Sequence, residues 1–187
     1  MATTPNARRA DAQRNRDAIL AAAIDALSES GEVSLNAIAK RAGIGNATLY
    51  RNFPTRESLI LAVYRREVQH VAESAAELLA THPAEQALRI WIGRLARYAM
   101  TKQGLAGALR TAAHPGDDLF AETYQPIVTA LAVLLTAAET AGIIQPGLDP
   151  DDVLLLFAGL WQLDPAGDWE AQAGRLFELA MRGIRAR

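Results

Sequence analysis

Cysteine is absent from this chain of 187 residues, and no long apolar run interrupts it. Without thiols, the chain forms no disulfide, binds no zinc through thiolates and has no cysteine nucleophile. The longest uninterrupted apolar stretch is Val153–Trp161, and the alternative, Ile127–Ala138, is broken by Thr129 and Thr136. Both fall well short of the roughly 18 residues of a membrane span. No apolar run follows the arginines near the N-terminus either, as a signal peptide would require. We therefore expect a cytoplasmic protein.

A large charge of one sign is also missing, because the net charge is only −2. This value excludes a polycationic tail and a strongly acidic disordered chain. It is nevertheless the sum of two unlike parts. Residues 1–66 carry ten basic and six acidic side chains, a net +4, whereas residues 67–187 carry nine and fifteen, a net −6. A basic N-terminal part and an acidic body indicate two modules with different partners.

The pattern of alternating residues that marks β-strands is not sustained anywhere, and the composition favours helices. There are 38 Ala and 24 Leu but only 18 Val plus Ile, and Ala and Leu have high helix propensity. Apolar residues recur at helical spacing, as in Ile19, Ala22 and Ala23. Glycine and proline breaks then divide the chain into nine predicted helices, including a fifth from Pro83 and a short sixth before Pro115. We predict an all-α protein with domains at 1–60 and 61–187.

The most informative segment is SLNAIAKRAGIGNATLYRNFPTRESL, residues 34–59. Ser34 is a good N-cap for a short helix, and Gly43 suits the tight turn that follows it. Leu49 and Phe53, four residues apart, are expected to hold a second short helix against the first. The polar residues on the other faces of this second helix are Asn46, Thr48, Tyr50, Arg51 and Asn52. A helix with amide, hydroxyl and guanidinium groups can enter a major groove and contact bases and phosphates.

Motifs for catalysis, cofactors and metals are missing. Gly43-Ile44-Gly45 begins like a dinucleotide-binding fingerprint, but it lacks the third glycine and follows a predicted helix rather than a strand. His70, His82 and His114 are scattered without the i, i+4 spacing of a helical metal-ligand pair. There is no nucleophile elbow and no phosphate-binding loop. We expect neither an enzyme nor a bound cofactor or metal.

At residues 18–60 the sequence resembles the TetR family of transcriptional regulators. The matching motifs are Ile38-Ala39, Ala42-Gly43-Ile44, Thr48-Leu49-Tyr50, Asn52-Phe53, Arg56-Glu57 and Leu59. Gly45 stands where many relatives have Ser, and Asn52 where His is frequent. The resemblance implies a nine-helix dimer with a helix-turn-helix domain that binds DNA and a helical body that binds a ligand and dimerises.

The resemblance also implies a set of DNA-binding residues. Phosphate contacts are expected from Ser34, Tyr50, Asn52 and Arg56, and base-edge contacts from Asn46, Ala47, Thr48 and Arg51, with Gly45 at the start of the same helix. An N-terminal arm with Arg8, Arg9 and Arg14 would add salt-dependent affinity or reach a minor groove. The alternative for the whole segment is an ordinary helical hairpin, and the alternative for a single arginine is a solvated side chain.

The predicted helix from Pro150 is apolar on nearly all sides, so most of it must be buried. The last helix has a matching apolar stripe. We predict that both helices and their symmetry mates form a four-helix dimer interface, the alternative being a monomer with a buried helix. The candidate interface residues are Leu156, Leu160, Leu163, Trp169, Leu176, Phe177, Ala180 and Ile184. A two-fold dimer would present two DNA-binding domains to half-sites about 34–36 Å apart.

Because relatives respond to ligands, the apolar residues of the central helices are candidates to line a cavity. These residues are Trp91, Tyr98, Leu105, Leu109, Phe120, Tyr124, Phe157 and Trp161. The alternative for each is core packing. Arg94, Arg97 and Arg110 are candidates to orient an acidic ligand, the alternative being that they are solvated or ion-paired.

The hypothesis that follows is a homodimeric repressor that binds a palindromic double-stranded DNA operator and is released by a small-molecule effector. Two other classes remain. One is a small-molecule-binding protein or enzyme that uses the helical body, and the other is an activator or an architectural DNA-binding protein. Loss of any DNA binding at low salt would favour the first of these.

Overall fold

The computed structural model describes residues 5–29, 34–112 and 119–186. Within these ranges the chain forms eight α-helices and one 3₁₀ helix and no strand, which confirms the all-α prediction. The only extended pairing in the described ranges is an isolated antiparallel bridge between Ile144 and Arg185. The helices are α1 (Pro5–Glu29), α2 (Leu35–Arg41), α3 (Asn46–Asn52), α4 (Arg56–Thr81), α5 (Ala84–Ala112), α6 (Leu119–Thr140), α7 (Pro150–Leu156), the 3₁₀ helix Phe157–Gln162 and α8 (Trp169–Ile184).

Three helices differ from the sequence-based prediction in their bounds. The predicted fifth and sixth helices are one continuous helix, α5. The helix predicted from Pro150 is α-helical only to Leu156 and then tightens into 3₁₀ turns, whose i, i+3 hydrogen bonds suit short segments. The predicted N-terminal arm is part of α1, which starts at Pro5, a tolerated first helical residue.

The chain divides into two compact units, and the divisions at 66/67 and 103/104 fall inside helices. The first unit holds the described residues up to Arg66 together with 104–112, and the second holds 67–103 and the described residues from 119 onward. Helices α4 and α5 therefore each contribute to both units. The division at 66/67 lies beyond the predicted domain boundary at 60/61, and α4 is continuous through both positions.

The core of the first unit is built where α2 contacts α1 and α3. Ile19 and Ala23 of α1 are completely buried, and so is Leu49 of α3. Ile38 and Ala39 of α2 are buried to within a few per cent. Burial of such apolar side chains stabilises the unit by about 1.5–3 kcal/mol for each Leu or Ile.

The second unit is organised around Trp91, whose ring is fully buried and whose Nε1 donates a hydrogen bond to the backbone oxygen of Val71, 2.9 Å away. Helix α7 begins with an N-cap at Asp149, and α8 begins with one at Asp168. Each carboxylate accepts from a backbone N–H of the first turn, which satisfies a donor that has no partner inside the helix. No helix in the described part of the chain is both long and apolar enough to cross a membrane.

Candidate nucleic-acid interface

Helix α2 begins at an exposed serine cap. Ser34 has an extended backbone conformation, with φ −74° and ψ 148°, and its Oγ accepts from the N–H of Ala37 at 3.2 Å. An N-cap of this kind is typically worth about 1 kcal/mol. The predicted cap is therefore present.

The turn between α2 and α3 depends on a glycine with positive φ. Gly43 has φ +68°, a conformation that costs other L-residues about 1–2 kcal/mol. Its N–H donates to the oxygen of Lys40 at 3.2 Å, and the N–H of Ile44 donates to the oxygen of Ala39 at 3.0 Å. These two bonds form the Schellman motif that closes a helix C-terminus. The chain then reverses within three residues and starts α3 at Asn46.

Two apolar side chains fix the orientation of α3. Leu49 is 0% exposed and Phe53, at the C-cap, is 1% exposed. The guanidinium of Arg16, on α1, lies over the Phe53 ring, with 4.5 Å between Cζ and the ring centroid. This cation–π contact ties α1 to the end of α3. Sequence reasoning missed Arg16, because nothing local in the sequence connects it with Phe53.

The remaining faces of α3 carry the predicted DNA-binding residues. Asn46, Ala47, Tyr50 and Arg51 are exposed, and the Tyr50 ring is 45% exposed although it is large and apolar in body. An exposed tyrosine with a free path to solvent can pack against a sugar and donate its hydroxyl to a phosphate. These four side chains project from one short helix that α2 and α1 hold in place.

Thr48 and Asn52 are less free than their neighbours. Both are half-buried, and the Asn52 Nδ2 donates to the backbone oxygen of Thr48 at 2.8 Å. The Arg51 Nη2 lies 3.5 Å from the Thr48 Oγ1. An amide nitrogen carries two hydrogens, so the bond to the Thr48 oxygen uses one donor of Asn52 and leaves the second available to a phosphate oxygen.

The start of α4 is held by a reciprocal cap. The Ser58 N–H donates to the Thr55 Oγ1 at 3.1 Å, and the Thr55 N–H donates to the Ser58 Oγ at 3.2 Å. The Glu57 backbone N–H and then the Thr55 hydroxyl lower the pKa of the Glu57 carboxyl. Arg56, the predicted phosphate contact, is half-buried as the first residue of α4. The cap therefore fixes the backbone from which Arg56 projects.

The basic residues predicted for an arm belong to a helix. Arg8 and Arg9 lie on α1, and their side chains are outside the part of the structure that is described. Arg14 pairs with Asp11 one turn earlier on the same helix, and Asp17 accepts from the Arg66 Nη1 at 2.6 Å. Alanine, arginine and glutamine are good helix formers, which is why this polar segment continues α1 instead of extending as an arm.

Comparison with known proteins identifies this architecture. The family model described as "Bacterial regulatory proteins, tetR family" matches residues 19–63. A second family model, "Transcriptional regulator SbtR-like, C-terminal domain", matches residues 83–186, more than half of the chain. The chain belongs to the TetR family of transcriptional regulators. As a member of this family it is a DNA-binding transcriptional regulator, which confirms the resemblance found in α2 and α3.

Solved structures agree with this assignment to the TetR family. The regulator SCO0520 from Streptomyces coelicolor is 44% identical, with a TM-score of 0.82 over 91% of this chain and 98% of that one. A TetR-family regulatory protein from Mycobacterium vanbaalenii is 30% identical, with a TM-score of 0.76 over 95% and 99% of the two chains. RolR, solved with its ligand resorcinol, has the same fold at 19% identity and a TM-score of 0.56 over 96% and 91%. A comparison with curated proteins finds no match.

The residues predicted to line a ligand cavity lie in several environments in this TetR-family chain. Trp91, Tyr98 and Phe157 are buried in the second unit. Leu105 and Leu109 are buried and belong to the first unit, and the side chain of Phe120 is outside the described part. The half-buried members are Tyr124 and Trp161. A shared cavity for these residues remains a prediction.

Two predicted cavity residues have specific polar roles. The Tyr124 hydroxyl donates to the Asp151 Oδ1 at 2.7 Å, and this hydrogen bond, with some burial, raises the pKa of Tyr124. The bond joins α6 to the first turn of α7. The backbone oxygen of Trp161 accepts from the Gln103 Nε2 at 2.9 Å. Both contacts fix the ends of short helical segments within the second unit.

The residues predicted for the dimer interface separate into a buried and an accessible group. The buried ones in the single chain are Leu160, Leu163, Phe177, Ala180 and Ile184. Leu156 is 55% exposed, and Trp169 and Leu176 are half-buried. Sequence reasoning missed two residues of the accessible face, Leu155 at 72% and Leu179 at 61% exposed. The helical spacing of Leu176 and Leu179 was the signal that could have added the second one.

Proposed function

We propose that two copies of the chain bind a palindromic DNA operator as a repressor, each with α3 in the major groove, and that a small-molecule effector releases them. In this proposal residues 1–60 bind DNA in the cytoplasm. Residues 61–187 bind the effector and form the dimer. The observation that supports the DNA contacts is the exposed polar face of α3, on a helix whose opposite face is completely buried through Leu49.

We infer different roles for the residues of this face. Asn46 and Ala47 occupy the first turn of α3 and are exposed, so they are assigned to base edges. Asn is suited to this role because its amide can pair with an adenine edge. Thr48 and Arg51 complete the base-edge set, and Tyr50, Ser34 and Arg56 are assigned to phosphates, which position the protein on the duplex without reading its sequence. Asn52 joins the phosphate set through the second hydrogen of its Nδ2, since the first is bonded to the Thr48 oxygen.

Exposed leucines support the dimer. Leu155, Leu156 and Leu179 are more than half exposed, and large exposed apolar groups of this kind mark interaction surfaces. Leu156 and Leu179 also line a shallow apolar groove of about 200 Å³ with Leu176. A second copy related by a two-fold axis would present the same leucines to this groove, as a self-complementary interface requires.

An effector bound in the second unit would act through α4. This helix belongs to both units, and it begins at Arg56, three residues after Phe53, the C-cap of α3. A ligand that binds better to a conformation with the wrong spacing of the two α3 helices shifts the population toward that conformation and away from DNA. RolR, which is solved with resorcinol, is a protein of the same fold that holds a small phenol.

The experiment that tests this function is gel retardation with DNA from upstream of the protein's own gene, at increasing salt. Wild type is expected to shift one fragment, with an affinity that falls steeply as salt rises. Tyr50→Ala is expected to weaken binding to every sequence, whereas Asn46→Ala is expected to reduce discrimination by about 1–3 kcal/mol at one base pair of each half-site. Uniform weakening by both variants would contradict the base-reading role of Asn46.

The same assay tests the alternative that the body alone carries the function. Failure of wild type to shift any fragment at low salt would favour a small-molecule-binding protein over a DNA-binding repressor. The matched control is Lys40→Gln, which removes one exposed positive charge from α2 without altering the exposed face of α3. It is expected to leave the sequence preference unchanged.

A further inference from the structure

A groove in the second unit, distinct from the residues predicted for a ligand cavity, lies between the middle of α5 and the first half of α8. Its volume is about 380 Å³, which is within the range of roughly 300–1,000 Å³ that small-molecule sites occupy. It is lined by residues 89–97 of α5 and residues 169–177 of α8. Both segments belong to the same compact unit, so the groove lies within one unit of the chain.

Two glycines keep this groove open. Gly93 on α5 and Gly174 on α8 both line it, and a Cβ added at either position would have no heavy atom within 4 Å. Glycine in the interior of a helix costs roughly 0.5–1 kcal/mol relative to alanine. At Gly93 and Gly174 the two helices therefore lack the side chains that would otherwise fill the groove.

Three arginines line the groove, and two of them are already paired. Arg89 forms an ion pair with Glu178, and its guanidinium lies 4.5 Å from the centroid of the Phe177 ring. The Arg97 Nη2 contacts the Glu170 Oε1 at 2.9 Å. These contacts hold both side chains at the edges of the groove and balance their charge.

The third arginine differs from the other two. Arg94 is half-buried in the groove wall, and its side chain forms no hydrogen bond or ion pair with any residue of the described ranges. A partly buried guanidinium without an acceptor has lost some hydration without a compensating partner. The five donors of the guanidinium fork match the two oxygens of a carboxylate, which it can bind in a bidentate manner.

The ring of Trp169 supplies the apolar part of the groove. It is half-buried at the start of α8 and lines the same space as Arg94, so it is assigned here to the groove in place of the predicted dimer contact. An aromatic ring in this position offers a surface for stacking by another ring. We infer that the groove binds a small monoanionic aromatic carboxylate, with its carboxylate on Arg94 and its ring against Trp169. The two ion pairs balance the charges of Arg89 and Arg97, so Arg94 supplies a single net positive charge, which matches a monoanion better than a phosphate dianion.

This inference does not depend on the proposed function, because it is tested by direct binding without DNA. The probe is 4-phenylbutyrate, titrated into the full chain by calorimetry at low salt, and the matched uncharged probe is 4-phenylbutyramide. We expect the acid to bind with a Kd of about 1 mM or tighter. We expect the amide to bind about tenfold more weakly, because it cannot accept a charge-assisted pair of hydrogen bonds.

Three variants locate the binding site. Arg94→Gln removes the proposed carboxylate partner and should weaken binding of the acid by about tenfold or more. Gly174→Leu should weaken it similarly by filling the groove, and thermal unfolding should show no loss of stability because leucine is a better helix former. Arg175→Gln is the control, since Arg175 is exposed on α8 next to Gly174 but does not line the groove.

Each outcome supports or overturns the inference. Loss of binding in Arg94→Gln and Gly174→Leu with wild-type binding in Arg175→Gln supports it. Equal loss in Arg94→Gln and Arg175→Gln would mean that the acid responds only to net charge, and this would overturn it. No heat of binding for wild type at a few millimolar acid, or equal binding of the acid and the amide, would overturn it as well.

Discussion

Replacing Gly43 by alanine tests how the turn positions α3. Gly43 has φ +68°, and no heavy atom lies within 4 Å of an added Cβ, so the cost of alanine is conformational and not a clash. An alanine with positive φ costs about 1–2 kcal/mol, and the reduced freedom of the unfolded chain offsets about 0.4–1 kcal/mol of it. We therefore expect Gly43→Ala to lower the free energy of unfolding by about 1 kcal/mol.

The chain contains a matched control for this variant. Gly142 has φ +67° and also no heavy atom within 4 Å of an added Cβ. Its N–H donates to the oxygen of Glu139 at 2.8 Å, and the N–H of Ile143 donates to the oxygen of Ala138 at 2.9 Å, so it closes α6 with the same motif. Gly142→Ala should therefore destabilise the protein by a similar amount. Only Gly43, however, sets the start of α3.

Urea unfolding and operator titration together separate the two effects. Both variants should lower the free energy of unfolding measured in urea by about 1 kcal/mol. Gly43→Ala should also weaken operator binding by about tenfold or more, because each base contact that loses its geometry is worth about 1–3 kcal/mol. Gly142→Ala should bind as wild type does. Equal operator affinities for the two variants, or an unchanged stability of Gly43→Ala, would refute the role assigned to the turn.

The remaining predictions concern caps, the dimer and pH. Ser34→Ala should lower the free energy of unfolding by about 1 kcal/mol, measured in urea. Ser34→Asp should keep the cap, but its negative charge should weaken DNA binding in gel retardation if a phosphate lies beside it. Leu155→Glu should produce monomers in sedimentation at micromolar concentration. Val133→Glu, at a position 47% exposed on α6, should leave the protein dimeric. If both variants are dimers, the proposed dimer interface at Leu155 is contradicted. The hydrogen bond to Asp151 raises the pKa of Tyr124, so its stabilisation is complete below the ordinary tyrosine pKa and is lost as pH rises through the raised value. Tyr124→Phe should accordingly flatten the alkaline decline in stability measured by urea unfolding, and an unchanged decline would contradict this assignment.

The DNA-binding segment was predictable because its signals are local. Gly43 is required by a positive φ, and Leu49 and Phe53 are spaced one helical turn apart on the face that the structure buries. Ser34 caps α2 as its side-chain chemistry indicated. Each of these features depends on residues within a few positions of one another, which is the range over which sequence patterns are informative.

Helix bounds were less predictable where local signals compete with packing. Gly104 lies inside α5, and a glycine there would be expected to weaken a helix. The helix nevertheless continues to Ala112, so the predicted break before a short sixth helix was wrong. In the same way Arg14 and its neighbours have good helix propensity without an apolar stripe, so the sequence pattern indicates an arm where the structure has a helix.

The separation of core from surface among the leucines required the structure. Leu155 and Leu160 are five residues apart in one apolar run, yet the first is 72% and the second 0% exposed. Periodicity identifies apolar residues but does not say which neighbour covers them, and the change from α-helix to 3₁₀ helix after Leu156 alters the angle between successive side chains. The surroundings of Arg94 could not be predicted either, because the groove that it lines is completed by residues of α8.

Selection of DNA from a random pool, carried out in parallel with wild type and Asn46→Ala, tests the central claim most directly. If α3 of each subunit reads a major groove, wild type enriches a palindrome, with half-sites about one helical turn or a multiple of it apart. Asn46→Ala should then enrich the same spacing with relaxed preference at one symmetric pair of positions. An identical motif for both proteins would contradict the base-reading role of Asn46, and no enriched motif for wild type would contradict sequence-specific binding by α3.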